Sequence, residues 1–203
     1  FPDNMNLTFF IQSSTVNLNN YSIKDLPGSS GRFDVISRCV LASLLNGNEI
    51  EKNVQIWVFL SDYGTFIFDI SKLNIDNFPK TELSFAKCFI EVILNKNSFG
   101  TGISQFPDNP LKKIKIMDIK FIDALKDFLK NNYKLYILYE KGVDFFENVK
   151  GFRSEKHLGF VIGNQSGIDS EQLRTLNLIN VSFGSQSYLA SSVIKLIKLY
   201  LLR

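Results

Sequence analysis

Ile23-Lys-Asp-Leu-Pro-Gly-Ser-Ser-Gly-Arg-Phe-Asp-Val-Ile-Ser-Arg-Cys39 is the stretch around which the chain is organised. Its first half gathers a proline, glycines and serines, the composition of a tight turn. Pro27 fixes its own φ, while Gly28 and Gly31 open backbone angles closed to other residues. Ser29 or Ser30 is placed to cap a helix through its hydroxyl. Beyond it, Phe33, Ile36, Val40 and Leu44 recur at helical spacing and predict a helix over 33–45 with one face on a core. Asp34 and Arg38 stand four apart, so they share a face and can pair. Arg32 falls at the helix N-terminus, where the macrodipole disfavours a cation. A glycine-rich turn running into a helix N-terminus is a place for an anion. An ordinary capped helix has the same pattern, and the physics of the stretch leaves both readings open.

Working outward, residues 7–12 read as a strand, joined to the turn by the polar segment 13–20. Residues 54–60 are apolar and β-rich and predict a buried strand. After the turn at Asp62-Tyr-Gly64, residues 65–70 complete a hairpin with it. Residues 82–95 predict a helix with Leu83, Ala86, Phe89, Ile90 and Ile93 on one face. Residues 97–110 form a long loop of the kind that is functional or mobile. Residues 120–130 are an amphipathic helix whose apolar face carries Phe121, Ile122, Leu125, Phe128 and Leu129. A short strand at 135–138 precedes a turn centred on Gly142, and 145–156 is irregular. The strand at 159–163 runs into Asn164-Gln-Ser-Gly167, followed by a helix at 170–176, a strand at 178–183, a turn at 184–187 and a helix at 188–202. This alternation of strand and helix predicts a mostly parallel α/β sheet. Ligands of such sheets sit beyond the carboxyl ends of the strands, here Leu138, Gly163 and Phe183.

The 203 residues, 45% of them hydrophobic, suffice for one domain, or one domain with an elaborate lobe. A net charge of +3 implies no general field for a polyanion. Residues 111–134 nonetheless carry seven Lys against three Asp, which is either a phosphate footprint or a solvated helix face. Cys39 and Cys88 lie in apolar helical patterns and read as buried thiols, which suits a reducing cytoplasm. The N-terminus shows no basic start with an apolar block; Met5 reads as the native start, with Phe1 to Asn4 left from upstream. Lys195 and Lys198 interrupt the C-terminal apolar run, so no membrane span is expected. With His157 as the single histidine, a Ser-His-Asp triad has one possible base and a multi-histidine metal site is excluded. The separated cysteines give no zinc motif, so no metal is expected. Gly163 and Gly167 are four apart, which is not the dinucleotide fingerprint, and no P-loop occurs. The turns at Gly163–Gly167 and Gly184-Ser-Gln-Ser187 make either a pocket at adjacent strand ends or plain linkers.

The stretch from Ile23 to Cys39 closely resembles the N-terminal signature of the TrmY family, the archaeal tRNA pseudouridine N1-methyltransferases of the SPOUT superfamily. Further pieces follow in family order: Phe99-Gly-Thr-Gly-Ile103, Leu135-Tyr-Ile-Leu138, Phe160-Val-Ile-Gly163 with Gly167-Ile168, and the segment from Val181 on. The resemblance spans nearly the whole chain and is weakest at 60–98. It implies one SPOUT-type α/β domain over 1–203, an open, mostly parallel sheet with a C-terminal trefoil knot. It also implies a cytoplasmic homodimer with its active site near the subunit interface, acting on tRNA or another structured RNA. The cofactor implied is S-adenosyl-L-methionine, mapped onto Leu138, Gly163, Phe183, Gly184, Ser185, Gln186, Ser187, Tyr188 and Val193. In the implied reaction, N1 of pseudouridine attacks a methyl group that the donor has already activated. The protein then supplies proximity, orientation and desolvation, and the target base must leave its stack. Arg32 and Arg38 are the residues expected to hold the RNA backbone, with Asp34 orienting Arg38.

The chain departs from the family at its catalytic end. Where the family has Asp-His after the glycine, this chain has Asn164-Gln165; where it has Leu-His-Ala and then Cys, this chain has Tyr188-Leu-Ala190 and then Val193. Asn164 can orient a base by hydrogen bonds but cannot take up a proton at neutral pH. The departures keep two further readings in play: a methyltransferase acting on another RNA base, and a non-catalytic RNA-binding or assembly protein on the same scaffold.

Overall fold

The computed structural model describes residues 5–73, 75–97, 108–163, 173–186 and 188–203. In chain order its elements are β1 (Asn6–Ser13), α1 (Leu26–Ser29), α2 (Phe33–Leu44), β2 (Leu45–Asn46), β3 (Glu49–Ile50), β4 (Val54–Leu60), β5 (Gly64–Asp69) and α3 (Glu82–Leu94). There follow β6 (Lys115–Met117), α4 (Phe121–Lys130), β7 (Lys134–Asp144), α5 (Val149–Arg153), β8 (His157–Val161), β9 (Ile179–Ser182) and α6 (Ala190–Leu201).

β1 is the spine. Leu7, Phe9 and Ile11 belong to one buried cluster and Phe10 to another, as the two-residue period of a strand requires. A strand apolar on both faces has to be central, and β1 pairs in parallel with β4 on one side and β8 on the other. The full order is β6-β5-β4-β1-β8-β7-β9. The pairs from β4 to β9 are parallel; β5 and β6 extend the sheet antiparallel, the first through the expected hairpin. The mostly parallel α/β sheet is therefore present.

α2, α3 and α6 pack on the face that carries Phe9. Phe89 of α3 stands at the centre of that layer, its ring 4.9 Å from Phe68, 5.2 Å from Phe66 and 5.3 Å from Phe33. The abundant phenylalanine thus serves packing. α4 covers the opposite face, setting Phe121 and Leu125 against Phe10, Phe59, Leu135 and Val161.

Four local expectations are corrected. β7 does not end at Leu138 in a turn about Gly142; it continues to Asp144. The strand predicted at 159–163 is shifted: β8 opens at His157 and ends at Val161. The segment before it contains the one-and-a-half-turn helix α5. Helix α2, predicted over 33–45, ends at Leu44, and Leu45 opens the small hairpin β2–β3. Residues 98–107 of the predicted loop and residues 170–172 of the predicted helix lie outside the described residues.

Lys198, read from the sequence as a polar interruption, is 4% exposed. Its ammonium donates to the carbonyls of Ala42 and Leu45, both at 2.7 Å, and lies 3.9 Å from Glu51. Those carbonyls belong to the last turn of α2 and its exit, so a cation from α6 meets the negative end of the α2 dipole. Burial pushes its pKa from 10.5 down to about 8, with Glu51 opposing the shift. Between those values the folded chain binds fewer protons than the unfolded one, so this site adds stability as pH rises through that window. Comparing wild type with Lys198→Met by urea unfolding at pH 7.5 and 9.5 should show the wild type gaining about 1–2 kcal/mol on the variant at the higher pH.

Candidate functional site

The carboxyl ends of β1, β8 and β9, the stretch Leu138–Glu140 of β7 and the start of α6 enclose a cleft of about 700 Å³. It lies beside the switch point of the sheet, where the chain leaves β1 for β4 on one side and returns at β8 on the other. Ile11, Ile36, Leu138, Ile162, Val181 and Val193 give it apolar walls; Gln12, Ser13, Ser14, Thr15 and Gln186 give it polar ones. The Ile162 N–H donates to the Phe10 carbonyl at 2.8 Å, which carries the β1–β8 pairing up to the cleft. Gly184 takes a left-handed φ of 92°, and its N–H donates to Ser182 Oγ at 3.1 Å.

Of the residues implied to hold the methyl donor, Leu138, Gly163, Phe183, Gly184, Gln186, Tyr188 and Val193 line this cleft together. Ser185 is exposed and does not line it. Ser187, Asn164 and Gln165 lie outside the described residues. Arg32 is on the lining; Asp34 and Arg38 stand behind it.

The turn that delivers Arg32 is built by short polar bonds. Asp25 accepts from the Gly28 N–H at 3.2 Å and caps α1, whose first turn contains Pro27. Ser29 bonds backwards to Asp25 and Ser22, so it does not cap α2. Ser30, fully buried, accepts from the Phe33 N–H at 3.2 Å and so serves the first turn of α2. Gly31 has φ 63°, and a Cβ there would stand 1.7 Å from the Thr15 carbonyl oxygen. That contact, with Thr15 Oγ1 donating to the Gly31 carbonyl at 2.9 Å, stitches the end of β1 to the start of α2.

Arg32 itself is left-handed, at φ 69°. Its Nε and Nη2 donate to the two oxygens of Asp34 at 3.0 and 3.1 Å, and Arg38 Nη2 donates to the same carboxylate at 2.7 Å. Asp34 is 2% exposed. The carboxylate in the first turn suits the helix dipole, and it holds the Arg32 proton more tightly than usual, by hydrogen bond and then by charge. The cation expected to be out of place at this helix start is therefore anchored, on a residue of the cleft lining.

Residues 11–15, Tyr139, Glu140 and Leu189 also line the cleft and were not foreseen. Tyr139 and Glu140 arise from an irregularity: Leu138 and Val143 both pair with Val181, and residues 139–142 leave the ladder between them. The other chemically suggestive residues sit elsewhere. His157, at the amino end of β8, shares a 2.8 Å hydrogen bond with Thr8 and packs on Tyr133, and burial lowers its pKa. Burial raises the Cys39 thiol to about 12. Among the described residues no group of acidic, histidine or cysteine side chains is arranged to hold a metal, and no helix is long and apolar enough to cross a membrane.

A family model described as "Putative SAM-dependent RNA methyltransferase" matches residues 5–203. The tRNA (pseudouridine(54)-N(1))-methyltransferase of Pyrococcus abyssi is 31% identical over 192 residues, covering 90% of each chain. That of Thermococcus onnurineus is 29% identical over 213 residues, covering 96% of each. In fold, the chain resembles Archaeoglobus fulgidus Nep1, solved bound to S-adenosylhomocysteine, with a TM-score of 0.55, 15% identity, and coverage of 97% of this chain and 96% of that one.

The contact at Gly31 makes a direct demand on sequence. Gly31→Ala should lose more than about 1 kcal/mol from its φ alone, and more from the backbone clash. A fall in thermal midpoint, with weakened binding in the cleft, is the expected result by scanning calorimetry.

Proposed function

The chain belongs to the family of SAM-dependent RNA methyltransferases that includes the Pyrococcus and Thermococcus tRNA (pseudouridine(54)-N(1))-methyltransferases, and from that we propose that it methylates N1 of a pseudouridine in tRNA. The observation that carries the reading is the cleft, which joins the Arg32 turn to the strand ends from four parts of the chain. Its volume, about 700 Å³, falls within the usual range for cofactor sites, and its lining fits S-adenosyl-L-methionine. Leu138, Ile162, Val181 and Val193 would take the adenine and exclude water, while the backbone at Gly163 and Gly184 is open to close approach. Ser13, Ser14, Thr15 and Gln186 offer hydrogen bonds to the polar parts. When bound, the cofactor supplies a methyl group already activated by a sulfonium charge. What remains for the protein is to hold the base in line with that methyl group and keep it dry.

Arg32 presents a guanidinium to an RNA phosphate at the rim, and Asp34 keeps it aimed; Arg38 braces the same carboxylate. Asn164 orients the target base through its amide. The C-terminal knot and the homodimer belong to this reading too. In support of the first, β8 and β9 flank β7, so the chain crosses β7 between them. In support of the second, Phe146, Tyr188, Leu189, Leu199 and Tyr200 are exposed. The free thiols of Cys39 and Cys88 suit a reducing cytoplasm. Asn164 and Gln165, standing where the family carries Asp-His, favour a second reading in which RNA is bound and not methylated.

Two measurements separate these. Calorimetry should give saturable binding of S-adenosyl-L-methionine, and nucleoside mass spectrometry should find a methyl group on tRNA carrying pseudouridine but not on the uridine form. RNA binding without transfer selects the second reading. Arg32→Ala should weaken tRNA binding about tenfold at low salt and lower the salt slope by about one; unchanged binding removes Arg32 from the RNA surface.

A further inference from the structure

Methylation of N1 leaves a proton to be removed, and an amide such as that of Asn164 cannot take it up. We propose that Glu140 accepts that proton, an assignment that rests on the functional reading above. Glu140 is the one carboxylate among the described residues lining the cleft. The other ionisable groups there are Arg32, Tyr139 and Tyr188. A guanidinium has no acceptor, and a phenol carries its own proton. An ionised carboxylate is an acceptor only.

The backbone accounts for its position. Leu138 and Val143 occupy the same register position against Val181, so residues 139–142 arch out of the sheet. Both feet of the arch are fixed. Leu138 is in the ladder and in the cleft wall. At the other foot, a Cβ on Gly142 would stand 2.6 Å from the Asn180 carbonyl carbon and the Val181 nitrogen, so the chain lies directly on β9. Irregularities of this kind re-aim side chains next to active sites. Glu140 is an exposed residue of the cleft lining, and no ion pair among the described residues engages it. Glu51, Glu82 and Glu155, by contrast, each face a cation.

In the step, an N1 electron pair forms the bond to the donor's methyl carbon. The carbon–sulfur bonding pair leaves with sulfur, giving the neutral thioether S-adenosylhomocysteine. The N1–H bond pair stays on nitrogen, and the proton passes to a Glu140 oxygen and then to water.

The test uses the full chain with Glu140→Gln and Glu140→Asp, and tRNA carrying pseudouridine. Single-turnover methyl transfer should fall about 10²–10⁴-fold in Glu140→Gln and recover in part in Glu140→Asp. Affinities for S-adenosylhomocysteine by calorimetry and for tRNA by anisotropy should stay within about threefold of wild type. Glu140→Gln transferring at the wild-type rate overturns the assignment. So does a rate loss matched by a loss of cofactor or tRNA affinity, which would make Glu140 an anchor. A wild-type protein that binds cofactor and tRNA and transfers nothing overturns the functional reading, and this assignment with it.

Discussion

No side chain fits at Gly31, because the Thr15 carbonyl oxygen already occupies the place where a Cβ would be. That close approach joins the exit of the central strand to the entry of the helix above it, and much of the site depends on it. Once Gly31 is seated, Arg32 is forced into the left-handed region, and Asp34, two residues on, is brought within reach of its guanidinium. The segment 12–15 is held back as one wall of the cleft, and the Arg32 turn becomes another. A contact that carries no chemistry therefore decides where the charged group stands.

The cleft is equally a product of strand order. β1 is buried on both faces, so it has neighbours on both sides, and its carboxyl end lies between chain segments that diverge. β8 and β9 then end, and β7 leaves its ladder, around one space. The polar demands of this arrangement are met locally. Every described buried side-chain nitrogen or oxygen has a partner. Even Lys198, deep between two helices, finds two carbonyls at a helix end.

The parts of this molecule that follow local periodicity were legible in the sequence. The α2 face of Phe33, Ile36, Val40 and Leu44 and the α4 face with Phe121 and Leu125 are apolar at helical spacing and buried as expected. Leu138, Gly163 and Phe183, read from alternation as strand ends, do line one cleft, although β7 runs on past Leu138. What escaped depends on partners distant in sequence. β6 is three residues with a charged start, and only its pairing with β5 makes it a strand. Residues 139–144 look like a loop because Glu140, Lys141 and Gly142 interrupt the apolar run, yet β9 holds both ends. Lys198 reads as solvated until the end of α2 is laid beside it. Residues 12–15 carry no pattern of their own and acquire a role from the turn they touch.

The arch in β7 also bears on how this chain can change length over evolutionary time. Beyond the arch, Asp144 pairs with Ser182, and Phe145 is buried with its ring 4.5 Å from Phe183 and 5.3 Å from Phe152. Because residues 139–142 stand outside the ladder, a residue gained or lost there is taken up by the arch and leaves the pairing of Asp144 with Ser182 and the packing of Phe145 in place. Surface loops absorb such insertions cheaply. Length at 139–142 can therefore vary without disturbing the aromatic packing behind it, and what a changed length would move is the cleft lining at Tyr139 and Glu140.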